Sequence, residues 1–201
     1  MEQLIPPPQP WRMTEDEYLR MEETSPIKHE FRNGQIVDMA RGTEPHSDIA
    51  GNLIQHIRNR LKGKPCKAYG SDLRVRISES GDYCYPDVTV VCGNPEFSRP
   101  DSRVSVMNPT LVVEVTSPST EADDRGEKFS QYRSVNSLSE YVLISSVRMQ
   151  VESFYKQPDG VWAIGPTLTR IDSAVRLRSL EIDLPLADIY AQVVLPAVLP
   201  Q

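Results

Sequence analysis

Long hydrophobic runs are missing from this 201-residue chain. No apolar stretch approaches the roughly 20 residues that span a bilayer. The N-terminus also lacks the basic flank and apolar core of a secretory signal. The expected compartment is the cytoplasm, with no membrane partner. Cysteine is scarce, with only Cys66, Cys84 and Cys92. An odd count at irregular spacing argues against a disulfide framework. Without a C-x-x-C pair there is no structural zinc signature, and three reduced thiols are expected. Aromatic residues are 7% of the chain, thin for the stacked cleft of a sugar hydrolase. Basic charge is not in excess either. The net charge is −6, which argues against a general nucleic-acid coat and leaves room for a local basic groove. The densest basic segment runs from Arg58 to Lys67. It reads either as a solvated helix end, where cations suit the helix dipole, or as a phosphate contact.

What is present is enough to fill one core. Four prolines, Pro6, Pro7, Pro8 and Pro10, mark residues 1–13 as an extended arm. A domain is expected over 14–190, and a tail over 191–201. Thr14 followed by Glu17 predicts a capping box and a helix. Asn33-Gly34 between apolar residues predicts a hairpin. Ile49, Leu53, Ile57 and Leu61 recur every four residues, predicting a helix from about 47 to 61. Strands are expected near 66–69 and 73–77, with a turn at 80–82. Two runs, 87–91 and 111–115, are apolar on both sides of the pleat and read as central strands covered on both faces. The polar segment 93–109 reads as a loop. A helix over 125–135, a buried strand at 141–144, a hairpin across 158–160 and a short edge strand near 180–185 complete an α/β chain. Its expected form is a central mixed sheet flanked by helices, with extra hairpins.

The chemistry concentrates on three residues. Asp87 follows Tyr85-Pro86 at the start of one central run. Glu114 sits inside the other, in Leu111-Val112-Val113-Glu114-Val115-Thr116. A carboxylate among β-branched residues is costly unless a cation, proton or metal pairs with it. If the two strands are neighbours, Asp87 and Glu114 converge at one sheet end. Hard cations such as Mg²⁺ or Mn²⁺ take oxygen ligands of this kind. Lys128 stands four residues after Asp124 and four before Tyr132, so all three share a helical face. It then reads either as a charge-offsetting site residue or as a surface pair with Asp124. Asp87 could equally be a turn former after proline, and Tyr132 a packing residue. His46 reads as a site residue or as a helix cap.

The words Tyr85-Pro86-Asp87-Val88, then Val113-Glu114-Val115-Thr116-Ser117-Pro118-Ser119-Thr120, then Asp124, Lys128 and Tyr132 resemble the Uma2 family of the PD-(D/E)XK nuclease superfamily. Glu30 with Gly34, His46 and Glu140-Tyr141 extend the resemblance over about residues 14–190. It implies a restriction-endonuclease-like core and a metal-dependent endonuclease acting on DNA. Asp87 and Glu114 would be the metal ligands for Mg²⁺ or Mn²⁺. Glu30, His46, Asp124 and Tyr132 would be additional site residues. The superfamily lysine falls two residues after the glutamate, where this chain has Thr116, so Lys128 is the candidate replacement. A homodimer would supply one site per DNA strand. Two alternatives stand beside this: a non-catalytic binding module on the same fold, and a two-carboxylate glycosidase.

Overall fold

The structure, a computed structural model, describes residues 12–39, 42–77, 81–99 and 103–197. Most of the proline-rich arm and part of the turn at 80–82 lie outside these residues. The chain begins with α1 (Glu15–Thr24), whose Thr14 hydroxyl accepts from the Glu17 amide while Glu17 reaches back to the Thr14 amide. The hairpin β1 (His29–Arg32) and β2 (Gln35–Asp38) turns at Asn33 (φ 52°) and Gly34 (φ 77°). These left-handed values belong to a type I′ turn, which is why Asn-Gly is favoured there. Then follow α2 (Glu44–Arg60), β3 (Cys66–Gly70), β4 (Arg74–Arg76), β5 (Tyr83–Cys84), β6 (Val88–Cys92), β7 (Ser105–Val106) and β8 (Leu111–Thr116). Helix α2 starts three residues earlier than its apolar stripe implies, because Pro45 occupies its first turn, where a missing N–H costs nothing.

Two short helices come next, α3 (Glu121–Arg125) and α4 (Glu127–Tyr132). One continuous helix over 125–135 was expected. Gly126, at φ −103° and ψ −100°, breaks it, and helix begins at Glu121. A Cβ at Gly126 would lie 3.0 Å from the Ala122 carbonyl. The chain ends through β9 (Glu140–Ser145), β10 (Val151–Lys156), β11 (Trp162–Ile164), β12 (Ala174–Leu177), a 3₁₀ turn at Arg178–Leu180, β13 (Ile182–Pro185) and α5 (Leu186–Ile189).

The main sheet has the order β11-β10-β9-β8-β6-β3, with β8 and β9 parallel and the other pairs antiparallel. Every residue of β8 and β9 is buried, as expected for the β8 run. A second sheet, β2-β1-β5-β4-β7, stands beside it, and β12-β13 forms a separate hairpin. Ile49, Leu53 and Ile57 of α2 pack on one face of the main sheet with Val88, Val90, Val113 and Val115. On the other face Val112 packs with Tyr132, Leu138 and Tyr141. Hence α2 covers one side and α4 the other.

Two further expectations are corrected. The 93–109 loop contains β7, which pairs in parallel with β4. Cys66 and Cys92 are joined as a disulfide rather than left as thiols. They stand directly opposite each other in the β3–β6 register, and sequence spacing cannot reveal a cross-strand partner 26 residues away. Cys84 alone stays free and buried. Among the described residues, no helix is long and apolar enough to cross a membrane.

Candidate active site

The β6–β8 register pairs Val88 with Val113. One residue further on, Asp87 faces Glu114. Strand alternation puts both on the α4 face of the sheet, together with Val112. The Asp87 Oδ2 accepts the Val115 amide at 2.7 Å, which locks the carboxylate against β8. Its Oδ1 lies 3.2 Å from His46 Nε2 at the start of α2. That hydrogen bond lifts the imidazole above its ordinary value, against the opposing effect of burial.

Glu114 is buried and meets Lys128 rather than solvent. The ammonium stands 2.9 Å from Glu114 Oε1, 3.0 Å from Glu30 Oε1 and 3.6 Å from Asp124 Oδ1. Tyr132 donates its hydroxyl to Glu114 Oε1 at 3.2 Å. Burial pushes the Glu114 carboxyl well above the usual range, and Asp124, Asp87 and Glu30 reinforce this against Lys128. Burial alone would pull the Lys128 ammonium down, but Glu114, Glu30 and Asp124 outweigh it and hold the lysine charged. Three carboxylates around one ammonium leave net negative charge, so the lysine keeps its proton and Glu114 carries the strain of the imbalance.

These groups line a cavity of about 280 Å³. Glu30, His46, Asp87, Glu114, Asp124 and Lys128 all contribute to its wall. Tyr132 stands behind the wall and touches it through Glu114. Thr116, in the position where the superfamily lysine is expected, is buried away from the cavity, and its carbonyl accepts from Ser146. The ammonium that lines the cavity is that of Lys128 on α4. Lys128 is thus buried and multiply paired, which removes the reading of a surface pair with Asp124.

Sequence reasoning missed Arg32 and Asp123, which line the same cavity. Arg32 Nη1 donates to Asp123 at 2.8 Å. The signal was available: residues two apart on a strand share a face, so Arg32 follows Glu30 into the site while Phe31 enters the core beside Tyr18. Among the described residues, no three His, Cys, Asp or Glu side chains stand close enough to form a metal-binding cluster.

Residues 15–187 match the Uma2 family, described as "Putative restriction endonuclease". The chain belongs to the Uma2 family. Two relatives from Synechocystis sp. (strain ATCC 27184 / PCC 6803 / Kazusa) are "Uncharacterized protein slr1290" and "Uncharacterized protein sll1609". The first is 40% identical over 153 residues, covering 76% of this chain and 79% of that protein. The second is 35% identical over 152 residues, covering 76% and 85%. A solved structure of "a putative nuclease belonging to DUF820" from Anabaena variabilis ATCC 29413 superposes with a TM-score of 0.72. It covers 90% of this chain and 99% of that one at 17% identity. That similarity shows the fold: a mixed α/β core with central sheets flanked by helices. Membership in Uma2 places the chain among nuclease-like proteins.

Proposed function

We propose that this Uma2 protein is a metal-dependent DNA endonuclease that hydrolyses phosphodiester bonds, with Asp87 and Glu114 holding Mg²⁺ or Mn²⁺. The observation that carries this is the convergence of Glu30, Asp87, Glu114 and Asp124 on one cavity against a single buried ammonium. The donor set fits a hard divalent cation. Such ions use one or two carboxylates, with waters and substrate phosphate completing the shell, so a larger protein cluster is not required. When bound, the ion polarises a phosphoryl oxygen and lowers the pKa of a bound water. The chain's own residues set up that chemistry. Lys128 holds Glu114 and Glu30 in place and offsets part of their charge. His46 and the Val115 amide fix the two oxygens of Asp87. Tyr132 orients Glu114.

A second reading is a non-catalytic nucleic-acid or protein binding module on the same fold. One observation favours it: both Asp87 oxygens and one Glu114 oxygen already have protein partners.

Supercoiled plasmid incubated with Mg²⁺ or Mn²⁺ decides between them. Nicking that EDTA abolishes, and that Asp87→Asn and Glu114→Gln each slow on the order of a hundredfold, is the expected result. Wild-type protein that binds DNA or another partner but never cuts supports the binding module.

A further inference from the structure

Resting on the nuclease reading, we infer that Arg32 is the phosphate-binding residue of this site and that Asp123 is a competing carboxylate displaced when a phosphodiester enters. Among the described residues, two cationic side chains with permanent charge line the cavity, Lys128 and Arg32. Lys128 has three N–H donors and faces three carboxylates within 3.6 Å. Two of those donors are spent on Glu114 and Glu30 at 2.9 and 3.0 Å, and with Asp124 3.6 Å away its charge is already offset by carboxylates. Arg32 is differently placed. Its side chain is only 10% exposed, yet among the described residues its hydrogen bonds go to Asp123 alone, through Nη1. Its Nε is buried without a hydrogen-bond partner, 3.6 Å from Glu30 Oε2.

A buried guanidinium using one nitrogen of its fork is far from satisfied. Arginine gains most from two parallel N–H bonds to a planar or tetrahedral oxyanion, a geometry that phosphate supplies. Asp123 holds the guanidinium end-on, with both carboxylate oxygens 2.8 Å from Nη1. Asp123 is also the more exposed partner, at 37%, so it can swing into water while Arg32 stays in the wall. A phosphodiester arriving beside four carboxylates needs a cation to offset its charge, and among the described residues Arg32 is the one whose partner, Asp123, is exposed enough to yield it. A purely structural role, tying β1 to α3, would make the Arg32–Asp123 pair matter for stability and leave DNA affinity unchanged.

The test is binding of a fluorescein-labelled DNA duplex, followed by anisotropy across a salt series in EDTA so that no cutting occurs. Arg32→Met is expected to weaken binding about tenfold and to reduce the salt slope by about one. Arg32→Lys should keep the slope and recover part of the affinity. Asp123→Asn should tighten binding clearly more when Arg32 is present than in the Arg32→Met background, where only the loss of its charge remains. Asp38→Asn removes a charge from the same wall and should tighten binding equally in both backgrounds. Urea midpoints of each variant establish that it is folded. The inference is overturned by an Arg32→Met protein that is folded and binds like wild type. It is equally overturned if Asp123→Asn tightens binding to the same extent without Arg32. If wild type binds no duplex, the DNA reading itself fails and takes this inference with it. If wild type binds and nicks while the Arg32 variants match it, only this inference fails.

Discussion

Lys128 and Tyr132 both touch Glu114, but they support it in different ways. Removing the ammonium leaves Glu114 and Asp124 buried without their cation, and Glu30 with only the Arg32 guanidinium, 3.6 Å away. Breaking a buried ion pair from one side costs about 3–5 kcal/mol, so Lys128→Met should lower unfolding stability by that order. Removing the Tyr132 hydroxyl deletes one hydrogen bond of 3.2 Å, while Glu114 keeps its lysine. Tyr132→Phe should cost about 1 kcal/mol, because the ring still fills its place beside Tyr141. Urea unfolding of the two variants side by side measures the contrast; equal losses would show that Lys128 does not neutralise the cluster. The acidic half of the site was legible because carboxylates in β-branched runs are conspicuous. Lys128 was legible only as an alternative, since four-residue spacing fits a surface pair as well. Arg32 escaped because attention to a hairpin turn hides the face its strands present.

Elements were legible where local chemistry fixes them. The capping box at Thr14, the Asn33-Gly34 turn and the apolar runs of β6 and β8 each carry their own signal. What sequence did not show depends on partners distant in the chain: the parallel pairing of β7 with β4, and the facing of Cys66 and Cys92. The break at Gly126 was visible as a glycine, but the four-residue spacing of Asp124, Lys128 and Tyr132 runs across it. One junction between elements is testable by pH. Glu15, the first residue of α1, accepts from Arg76 Nε at 3.1 Å and from the Tyr83 hydroxyl at 2.6 Å, tying the helix to β4 and β5. Burial alone would raise this carboxyl, but the Arg76 and Tyr83 hydrogen bonds win and hold it below its ordinary 4.5. A depressed folded value means the contribution is present above 4.5 and lost as pH falls through the folded value. Glu15→Gln should therefore be less stable than wild type near neutral pH, and the gap should close under acid. A gap in the urea midpoint that stays constant from neutral to acid pH would show that the charge is not what binds α1 to the sheet.

At the scale of the whole molecule, charge and sheet edges decide what the chain can meet. The net charge of −6 opposes a polyanion in general, so the proposed nuclease would have to meet DNA locally. No Asp or Glu stands between Asp48 and Asp72, while five Lys or Arg do, from Arg58 to Lys67. This basic end of α2 lies opposite the end that carries His46. The main sheet has two open edges, β3 and β11. Edge β3 is blunted by the exposed Lys67, and Arg58 Nε bonds the Ala68 carbonyl at 3.0 Å; charge on an edge disfavours strand addition. Among the described residues no charged side chain blunts edge β11; Ile164 on it is 71% exposed and the preceding Val161 56%. The homodimer that duplex cutting calls for, with one site per strand under two-fold symmetry, would accordingly form through β11. Sedimentation equilibrium at micromolar concentration should give twice the chain mass, and Ile164→Lys should return it to a monomer, whereas Lys67→Glu should not. On the proposed nuclease reading, a wild-type monomer throughout would mean that the two strands of a duplex are cut in separate encounters. Nicked circles should then accumulate before any linear product appears.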